Sequence, residues 1–412
     1  MLASGGAVVT GVLSVLLWLL LALVALPVLV LALQVGAAWP RRSDGLPLQM
    51  PSAPEGQAPR IAVLVPAHDE AVVIARTVQR LRAALTPHDV LCVVADNCSD
   101  DTARLAREAG AQVVERFDAQ RRGKGYALDH GVRHLAALEQ APDALLIIDA
   151  DCTVATVGGL HGLARLALAQ GRPVQALDLM HAPGGAGLKL RVAAFAWRVK
   201  NWARPLGALA MGWPCQLMGT GMAFPWAMAR QMPLASGELV EDMQLGMALA
   251  LTGTPPLFCP QVLVSSEFPD AASAVQSQRR RWEHGHLGMI VRHVPRLLGQ
   301  AIARRDGRLL ALALDLAVPP LALLVLLLLA VNALALVAAL LGLGWAPPWA
   351  ALACAALFAL AMAMAWWGWG RAVVSARDLL CVPLYVLGKL PLYAGYLFKG
   401  KRQKEWVRTD RE

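Results

Sequence analysis

Charge is distributed very unevenly along this chain of 412 residues. The first forty residues carry no charged side chain, and a second charge-poor stretch runs from Leu309 to Phe398. Both stretches are longer than the ~20 apolar residues that a membrane-spanning helix needs. Charged residues make up 16% of the chain, against about 25% in a typical soluble protein. This segregation excludes a disordered chain, a collagen-like or coiled-coil rod and an ordinary cytosolic enzyme, and predicts a water-facing domain between membrane-embedded ends.

Three segments are predicted to span the membrane. They run from about 8 to 33, from 321 to 343 and from 349 to 367. The first has no basic start and is followed by Arg41 and Arg42, so we interpret it as an uncleaved helix whose C-terminal end is cytoplasmic. Residues 379–398 contain Lys389 and two prolines and are predicted to form a re-entrant or interfacial hairpin. The prediction is a multi-pass inner- or plasma-membrane protein with its central domain in the cytoplasm.

The net charge of +9 comes from three basic clusters beside hydrophobic segments. They lie at Lys189–Arg204, Arg279–Arg281 and Lys399–Arg411. Their position favours lipid headgroups over nucleic acid as partners, and residues 187–204 are predicted to form a helix on an anionic membrane surface. The seven cysteines show no CxxC spacing, which argues against zinc or a disulfide framework and favours reduced thiols.

From Arg60 onward, short apolar runs alternate with segments of helical periodicity. The strand-like runs are IAVLVPAHDE, VLCVVADNCSDD, AQVVER and ALLIIDADC. The helix-like segments between them are 71–85, TARLAREAG and 124–140. Strands that alternate with helices and end in polar residues indicate a parallel α/β sheet that binds ligands at the strand carboxyl ends.

Several polar groups follow these strands, and each has a structural and a functional interpretation. Residues 68–70 and 96–101 could cap helices or bind a ligand. Asp149 and Asp151 end the fourth strand, where alternation points both side chains to one face. Two such carboxylates repel each other unless they share a cation, and a hard divalent ion such as Mg²⁺ or Mn²⁺ suits them. The alternative is a pair of solvated loop acids.

Three further motifs lie outside the strand ends. Residues 121–125 (RRGKG) form a glycine-containing basic loop that suits either a phosphate or a surface turn, and its spacing matches neither a P-loop nor a dinucleotide fingerprint. Glu241 and Asp242 open a helix, where they could complement its dipole or supply a general base. Residues 278–282 (QRRRW) could anchor a helix at the membrane interface, or bind phosphate and stack on a sugar ring.

Six motifs together carry a family resemblance. They are VPAHDE, ADNCSDDT, RGKGYAL, DADC, VEDMQL and QRRRW. In order and rough spacing, the sequence resembles the membrane-embedded family 2 glycosyltransferases, which include the cellulose, hyaluronan and poly-N-acetylglucosamine synthases and ceramide glucosyltransferase. The similarity covers about residues 60–300. It implies a GT-A fold, the Rossmann-like α/β domain that binds nucleotide sugars, and inverting sugar transfer.

The resemblance also implies roles for donor-binding residues. The residues that would border the nucleotide are Pro66, Ala67, Asp69 and Glu70. Asp96 would hold the base or ribose, and Lys124 would lie near the diphosphate or base. Asp149 and Asp151 would position the diphosphate through a divalent metal, with Asp151 the preferred direct ligand.

On the acceptor side, the resemblance makes Asp242, rather than Glu241, the general base for the acceptor hydroxyl. The side chains that would line the acceptor and diphosphate side are Gln278, Arg281 and Trp282. Departures from the family pattern occur at 129–131 (Asp-His-Gly), at Val240 and at His68. They weaken any transfer of sugar identity or processivity from the named synthases.

The predicted organisation has five parts. They are a transmembrane helix at 1–42, a linker at 43–59, a cytoplasmic GT-A domain at 60–275, the QRRRW motif with an interface helix at 276–308, and transmembrane or interfacial helices with a basic tail at 309–412. The predicted donor is a UDP-sugar and the acceptor a lipid-linked or polysaccharide molecule, in exopolysaccharide or glycolipid synthesis, with possible partner subunits for export. The alternative is a non-catalytic membrane assembly or transport subunit with a degenerate nucleotide-binding domain.

Overall fold

The computed structural model of this chain describes residues 2–42, 58–238, 240–268, 272–390 and 393, without the side chains of 2–9, 272–280, 383 and 384. The predicted linker, except for its last two residues, and the basic tail lie outside the described residues. The strands are β1 Ile61–Ala67, β2 Val90–Asp96, β3 Gln112–Arg116, β4 Ala144–Ile147, β5 Thr153–Val154, β6 Val174–His181, β7 Met222–Pro225 and β8 Leu257–Glu267.

The described helices flank the strands and continue beyond them. They are α1 Leu2–Ala38, α2 Ile74–Ala83, α3 Thr102–Glu108, α4 Lys124–Ala136, α5 Gly159–Gln170, α6 Leu188–Arg198, α7 Arg204–Ala210, α8 Trp226–Ala229, α9 Glu241–Leu251, α10 Ala272–Arg304, α11 Gly307–Leu316, α12 Leu321–Ala338, α13 Ala346–Ala365, α14 Ala376–Leu380 and α15 Val382–Leu387. A π-helical turn at Val199–Ala203 joins α6 to α7.

All eight described strands belong to one sheet, in the order β3-β2-β1-β4-β7-β6-β8-β5. The first four strands are parallel, as the sequence predicts. Beyond β4 the prediction of a parallel sheet is wrong, because β7 runs antiparallel to both β4 and β6. Since Met222 pairs with Ile147, β7 starts where β4 ends. This reversal brings the loop before β7 next to the acidic turn after β4.

Alternation along the central strands builds a core on each face of the sheet. Ile61, Val63 and Val65 of β1 pack with α2 and α5 on one face. Ala62 and Leu64 pack with α4 and α9 on the other. These residues are fully buried, which matches the continuous apolar runs expected of strands covered on both faces.

Three described helices are long and apolar enough to cross a membrane: Thr10–Arg41, Leu321–Leu343 and Ala346–Gly370. They correspond to the three predicted spans. Residues 376–387 form two short helices, α14 and α15, and the end of the predicted hairpin, at 394–398, lies outside the described residues. The predicted domain boundaries stay predictions; the last strand of the sheet ends at Glu267.

The segment from α6 to α7 joins the sheet to the apolar helices. Gly207 lies so close to α1 that a Cβ there would be 1.7 Å from Gln34 O, which only glycine permits. The Arg204 guanidinium donates to Gln34 Oε1 at 2.8 Å and to Asp315 Oδ1 at 2.7 Å. This buried network fixes α1, α7 and α11 relative to one another.

The first basic cluster has partners within the protein. Besides Arg204, Arg191 donates to Asp378 at 2.7 Å and Arg198 donates to the Trp369 carbonyl at 3.2 Å. The sequence analysis assigned these cations to lipid headgroups. In the structure, these three arginines join α6 and α7 to the C-terminal helices, since each partner lies more than 100 residues along the chain. Contact of this segment with lipid stays a prediction.

Asp89 links the start of β1 to the loop before β2 and to α5. Its carboxylate accepts hydrogen bonds from Ile61 N at 2.9 Å and from Thr86 N at 2.7 Å, and it lies 3.0 Å from His161 Nε2. Burial raises the pKa of Asp89, but these partners lower it overall to about 2.

We expect Asp89→Asn to destabilise the α/β domain by about 2 kcal/mol, because the new amide faces two N–H donors. In the native protein, the contribution of Asp89 is complete above its ordinary pKa near 4 and is lost as the pH falls to about 2. Tryptophan fluorescence melts of both proteins between pH 7 and pH 3 measure this. A Tm difference that stays constant over that range would contradict the assignment.

Candidate active site

The carboxyl ends of β1, β2 and β4 open into one cavity of about 1,100 Å³. Ten of the predicted site residues line it: Pro66, Ala67, Glu70, Asp96, Lys124, Asp149, Asp151, Asp242, Arg281 and Trp282. Asp69 is not among the lining residues, and the side chain of Gln278 lies outside the described part of the chain. Their roles stay predictions, but the sheet topology explains why they meet.

Asp69 joins two loops at the rim of the cavity. Its Oδ1 accepts hydrogen bonds from Ser99 N at 2.6 Å and from Asp100 N at 3.3 Å, so that the loops after β1 and β2 are tied together. Among the described residues, Asp69, Cys98 and Asp100 form a group whose ligand-type atoms lie within 4.8 Å of one another. The carboxylates of that group accept hydrogen bonds from the loop backbone, which gives them a structural role.

Asp96 lies at the end of β2 and is 6% exposed. Arg116 Nη1 lies 2.5 Å from its Oδ1, and Arg116 also donates to the Arg121 carbonyl at 2.7 Å. The loop that precedes Lys124 is therefore attached to the end of β2. This contact places the basic loop and the acid at the same edge of the cavity.

Lys124 begins α4 and lies among acidic groups. Its Nζ is 2.5 Å from Asp149 Oδ1 and 4.0 Å from Glu241 Oε1, and it donates to Gly219 O at 2.8 Å. Burial alone would lower the pKa of Lys124, but Asp149 and Glu241 outweigh it and raise the pKa above its usual value. These acidic neighbours therefore favour the charged form of Lys124, which lines the cavity.

The loop before β7 contains the sequence Gly-Thr-Gly at 219–221, and Gly219 and Thr220 line the cavity. Gly219 has a φ of +92°, and its carbonyl reaches Lys124. Thr220 Oγ1 accepts a hydrogen bond from Asp149 N at 3.0 Å. Gln175, which is fully buried on β6, donates to Thr220 O and accepts from Met218 N, both at 2.8 Å. The loop is thus fixed by a side chain that the sequence analysis did not single out.

Asp178 is a second residue that the sequence analysis missed. It lines the cavity from β6, is 3% exposed and accepts a hydrogen bond from Asn201 Nδ2 at 3.0 Å. Burial and nearby Asp149 raise the pKa of Asp178 to about 8. A lone acid within the apolar strand VQALDLMH was the available signal, because an unpaired charge in a buried strand is costly.

Glu241 and Asp242 stand at the first turn of α9 and face the same space. Asp242 Oδ1 accepts a hydrogen bond from Met243 N at 2.8 Å. Burial raises the pKa of Glu241 to about 7, and burial also raises the pKa of Asp242, although Lys200 and Lys124 oppose that rise. Carboxylates with raised pKa values in a cleft are suited to take up a proton.

Arg281 and Trp282 line the cavity from α10. Burial lowers the pKa of Arg281, while Glu241, Asp149 and Asp242 oppose that change. The Trp282 ring packs against Trp197 of α6, with a centroid distance of 4.8 Å. The structure therefore brings this part of the QRRRW motif to the acidic groups, more than 30 residues away along the chain.

Gly125 sets the distance between α4 and the loop at 233–238. A Cβ at this position would lie 2.5 Å from Leu234 O and 2.6 Å from Ser236 O. We expect Gly125→Ala to raise the KM for the donor about tenfold, since backbone atoms beside Lys124 must move. Donor titration measures this, with Gly184→Ala as the control because a Cβ there meets nothing within 4 Å. An unchanged donor KM in Gly125→Ala would show that donor binding does not depend on the close approach of α4 to the loop at 233–238.

An α/β sheet whose strand ends bring carboxylates, a lysine and glycine-containing loops to one cavity is the arrangement that the resemblance to glycosyltransferases of the GT-A class implies. The family model described as "Glycosyltransferase like family 2" matches residues 59–285, which is more than half of the chain. The protein belongs to glycosyltransferase family 2, and the resemblance noted in the sequence is confirmed.

One of the similar solved structures, with a TM-score above 0.5, supports the fold. A mannosyltransferase from Pyrobaculum calidifontis, in complex with GDP-mannose and Mn²⁺, has 21% identity and a TM-score of 0.51, and the match covers 89% of this chain and 99% of that one. Glucosyl-3-phosphoglycerate synthase from Mycobacterium tuberculosis, in complex with Mn²⁺, UDP-glucose and phosphoglyceric acid, has 22% identity and a TM-score of 0.38, over 59% of this chain and 88% of that one. No curated protein matches the sequence. The GT-A fold is thereby confirmed.

Proposed function

We propose that this glycosyltransferase transfers a sugar, with inversion, from a nucleoside diphosphate sugar to a membrane-associated acceptor. The acceptor hydroxyl loses its proton to Asp242, its oxygen bonds to the anomeric carbon, and the bond from that carbon to the diphosphate breaks. The nucleoside diphosphate leaves with the bonding electrons. One base suffices for this single displacement.

The observation that carries the proposal is the arrangement of charge in the cavity. Lys124 stands between Asp149 on one side and Glu241 on the other, at 2.5 and 4.0 Å. Arg281 faces the same acids. Cations at this position suit a leaving diphosphate, whereas Asp242 lies at the start of α9, where it can reach an acceptor hydroxyl.

A divalent metal fits this donor set. The described residues that line the cavity include eight carboxylates and six lysines or arginines, so that the acids outnumber the cations. Hard oxygen ligands of this kind prefer Mg²⁺ or Mn²⁺, and such an ion neutralises charge on a departing diphosphate. We propose Asp149 and Asp151 as the residues that hold it. The Pyrobaculum mannosyltransferase structure contains Mn²⁺, which supports a divalent ion as the proposed metal.

Membrane attachment and orientation are part of the proposal. The three apolar helices support an integral membrane protein, and the pair Arg41–Arg42 supports a cytoplasmic catalytic domain, where soluble donors are available. The proposed donor is a UDP-sugar, and the proposed acceptor is a lipid-linked or polysaccharide molecule. The product would belong to glycolipid or exopolysaccharide synthesis, where partner subunits would export it.

The test is an assay of the detergent-purified full chain with a panel of UDP- and GDP-sugars, Mg²⁺ or Mn²⁺, and a membrane lipid extract. We expect metal-dependent release of nucleoside diphosphate and a glycosylated product. Nucleotide binding without turnover for every donor would contradict the proposal and support the alternative of a non-catalytic subunit. The mass of the product separates a polymer ladder from a one-sugar adduct.

A further inference from the structure

The catalytic cavity does not end at the carboxylates. It continues between the start of α12, the end of α13 and the short helices α14 and α15. The lining residues from these elements are Pro319, Pro320, Leu321, Ala322, Val325, Phe358, Ala359, Met362, Ala363, Leu379, Val382, Tyr385, Val386 and Lys389. We call this part of the cavity the apolar extension. Two of its walls belong to helices that are long enough to cross a membrane.

The walls of the apolar extension are almost entirely hydrocarbon. Of the described residues that line it, Tyr385 and Lys389 have polar side-chain ends, and the Lys389 ammonium is in contact with the Glu283 carboxylate of α10. Ala359 and Ala363 are exposed, and Phe358 and Met362 are half-buried. This surface is therefore open along α13, which is one of the helices long and apolar enough to cross a membrane.

From these walls we infer that the acceptor is a hydroxyl-bearing lipid whose aliphatic chain lies in the apolar extension. This inference rests on the proposed function and names its acceptor class. A growing polysaccharide would bury many hydroxyl groups against walls that offer few hydrogen-bond partners, and each unpaired hydroxyl is costly. An aliphatic chain has no such requirement, and its burial against Phe358 and Met362 is favourable.

The junction between the two parts of the cavity suits the head of such a lipid. The polar part of the cavity is lined by Asp242 together with Lys200, Arg281 and Trp282, while side chains of α12 and α13 line the apolar extension. A lipid that enters beside Ala359 would thus present its hydroxyl to the polar part. Asp242 then takes the hydroxyl proton, the new bond forms to the anomeric carbon, and the nucleoside diphosphate departs.

The test uses the full chain in phosphatidylcholine nanodiscs that contain a diacylglycerol with a diazirine in one acyl chain. After irradiation, mass spectrometry maps the labelled peptides. We expect label on 321–325 and 358–363, and at least fivefold less label in Ala359→Trp and Ala363→Trp, since indole rings fill the apolar extension. Ala353→Trp is the matched control, because Ala353 is exposed on the opposite face of α13 and does not line the cavity.

A second measurement uses a membrane lipid extract as acceptor and a donor with a radiolabelled sugar. It gives the amount of sugar transferred into the organic phase divided by the amount of donor hydrolysed. We expect this ratio to fall at least tenfold in Ala359→Trp and Ala363→Trp, and to be unchanged in Ala353→Trp. Equal labelling in all variants, or a ladder of water-soluble polymer, would overturn the lipid acceptor. If the unmodified protein turned over no donor at all, the proposed function would be refuted. Photolabelling would still show whether a lipid chain binds in the apolar extension.

Discussion

Asp242→Asn is expected to lower kcat for sugar transfer by ~10²–10⁴-fold, with the donor KM changed only a few fold. The amide keeps the shape of the carboxylate, and its oxygen can still accept the 2.8 Å hydrogen bond from Met243 N. It cannot take a proton from the acceptor hydroxyl. The measurement is a steady-state assay of nucleoside diphosphate release with saturating acceptor.

Glu241→Gln is the matched control for this experiment. Glu241 is adjacent in sequence and lines the same cavity, and burial raises its pKa as it does that of Asp242, but the family resemblance makes Asp242 the base. Glu241 Oε1 lies 4.0 Å from Lys124 Nζ, an electrostatic contact that a glutamine weakens. We expect a loss of less than tenfold. A larger loss in Glu241→Gln than in Asp242→Asn would mean that the base is Glu241.

Much of the polar part of the site is predictable because strand ends are readable in the sequence. The runs that became β1, β2 and β4 are apolar and stop at polar residues, and parallel strands place those residues at one edge. Pro66, Asp96 and Asp149 therefore meet in one cavity, as expected. The position of Asp242 depended on the family resemblance, since no periodicity relates α9 to β4.

The missed residues belong to the half of the sheet beyond β4, where parallel and antiparallel pairings are mixed. Gln175 and Asp178 lie on β6, whose neighbours are β7 and β8, and these pairings join segments separated by tens of residues. Only the reversal at β7 brings Thr220 beside Asp149. Local sequence patterns contain no information on that reversal, so the hydrogen bonds from Gln175 to the loop could not be anticipated.

The basic segment at 187–204 shows what composition leaves undetermined. Five cations with two tryptophans fit an interfacial helix by composition. However, Arg204 pairs with Asp315, one of the few charges in the apolar C-terminal part of the chain. Composition cannot distinguish an arginine that faces a lipid phosphate from one whose partner is a distant aspartate. Isolated acids in apolar segments are the signal for such partners, because they need a counter-charge.

At a metal concentration just sufficient for the unmodified protein, Asp151→Ala is expected to reduce transfer by about a thousandfold, because a divalent ion on a departing diphosphate contributes several kcal/mol to transition-state stabilisation. Excess Mn²⁺ should restore part of the lost activity if Asp151→Ala weakens binding of the ion, and the restored fraction is measured. Asp129→Ala is the control, since Asp129 pairs with the exposed Arg133 at 2.9 Å on α4 and does not line the cavity.

The pair Asp149 and Asp151 predicts different behaviour for its two members. Asp149 Oδ1 lies 2.5 Å from Lys124 Nζ, so that Asp149→Ala also removes the principal partner of that cation. We therefore expect Asp149→Ala to weaken donor binding as well as metal dependence, and Asp151→Ala to affect chiefly the concentration of metal needed for half-maximal activity. Calorimetric titration of each variant with the nucleoside diphosphate, with and without Mn²⁺, separates the two effects. Identical metal dependence in Asp151→Ala and the unmodified protein would exclude Asp151 as a ligand and assign the ion to the other cavity carboxylates.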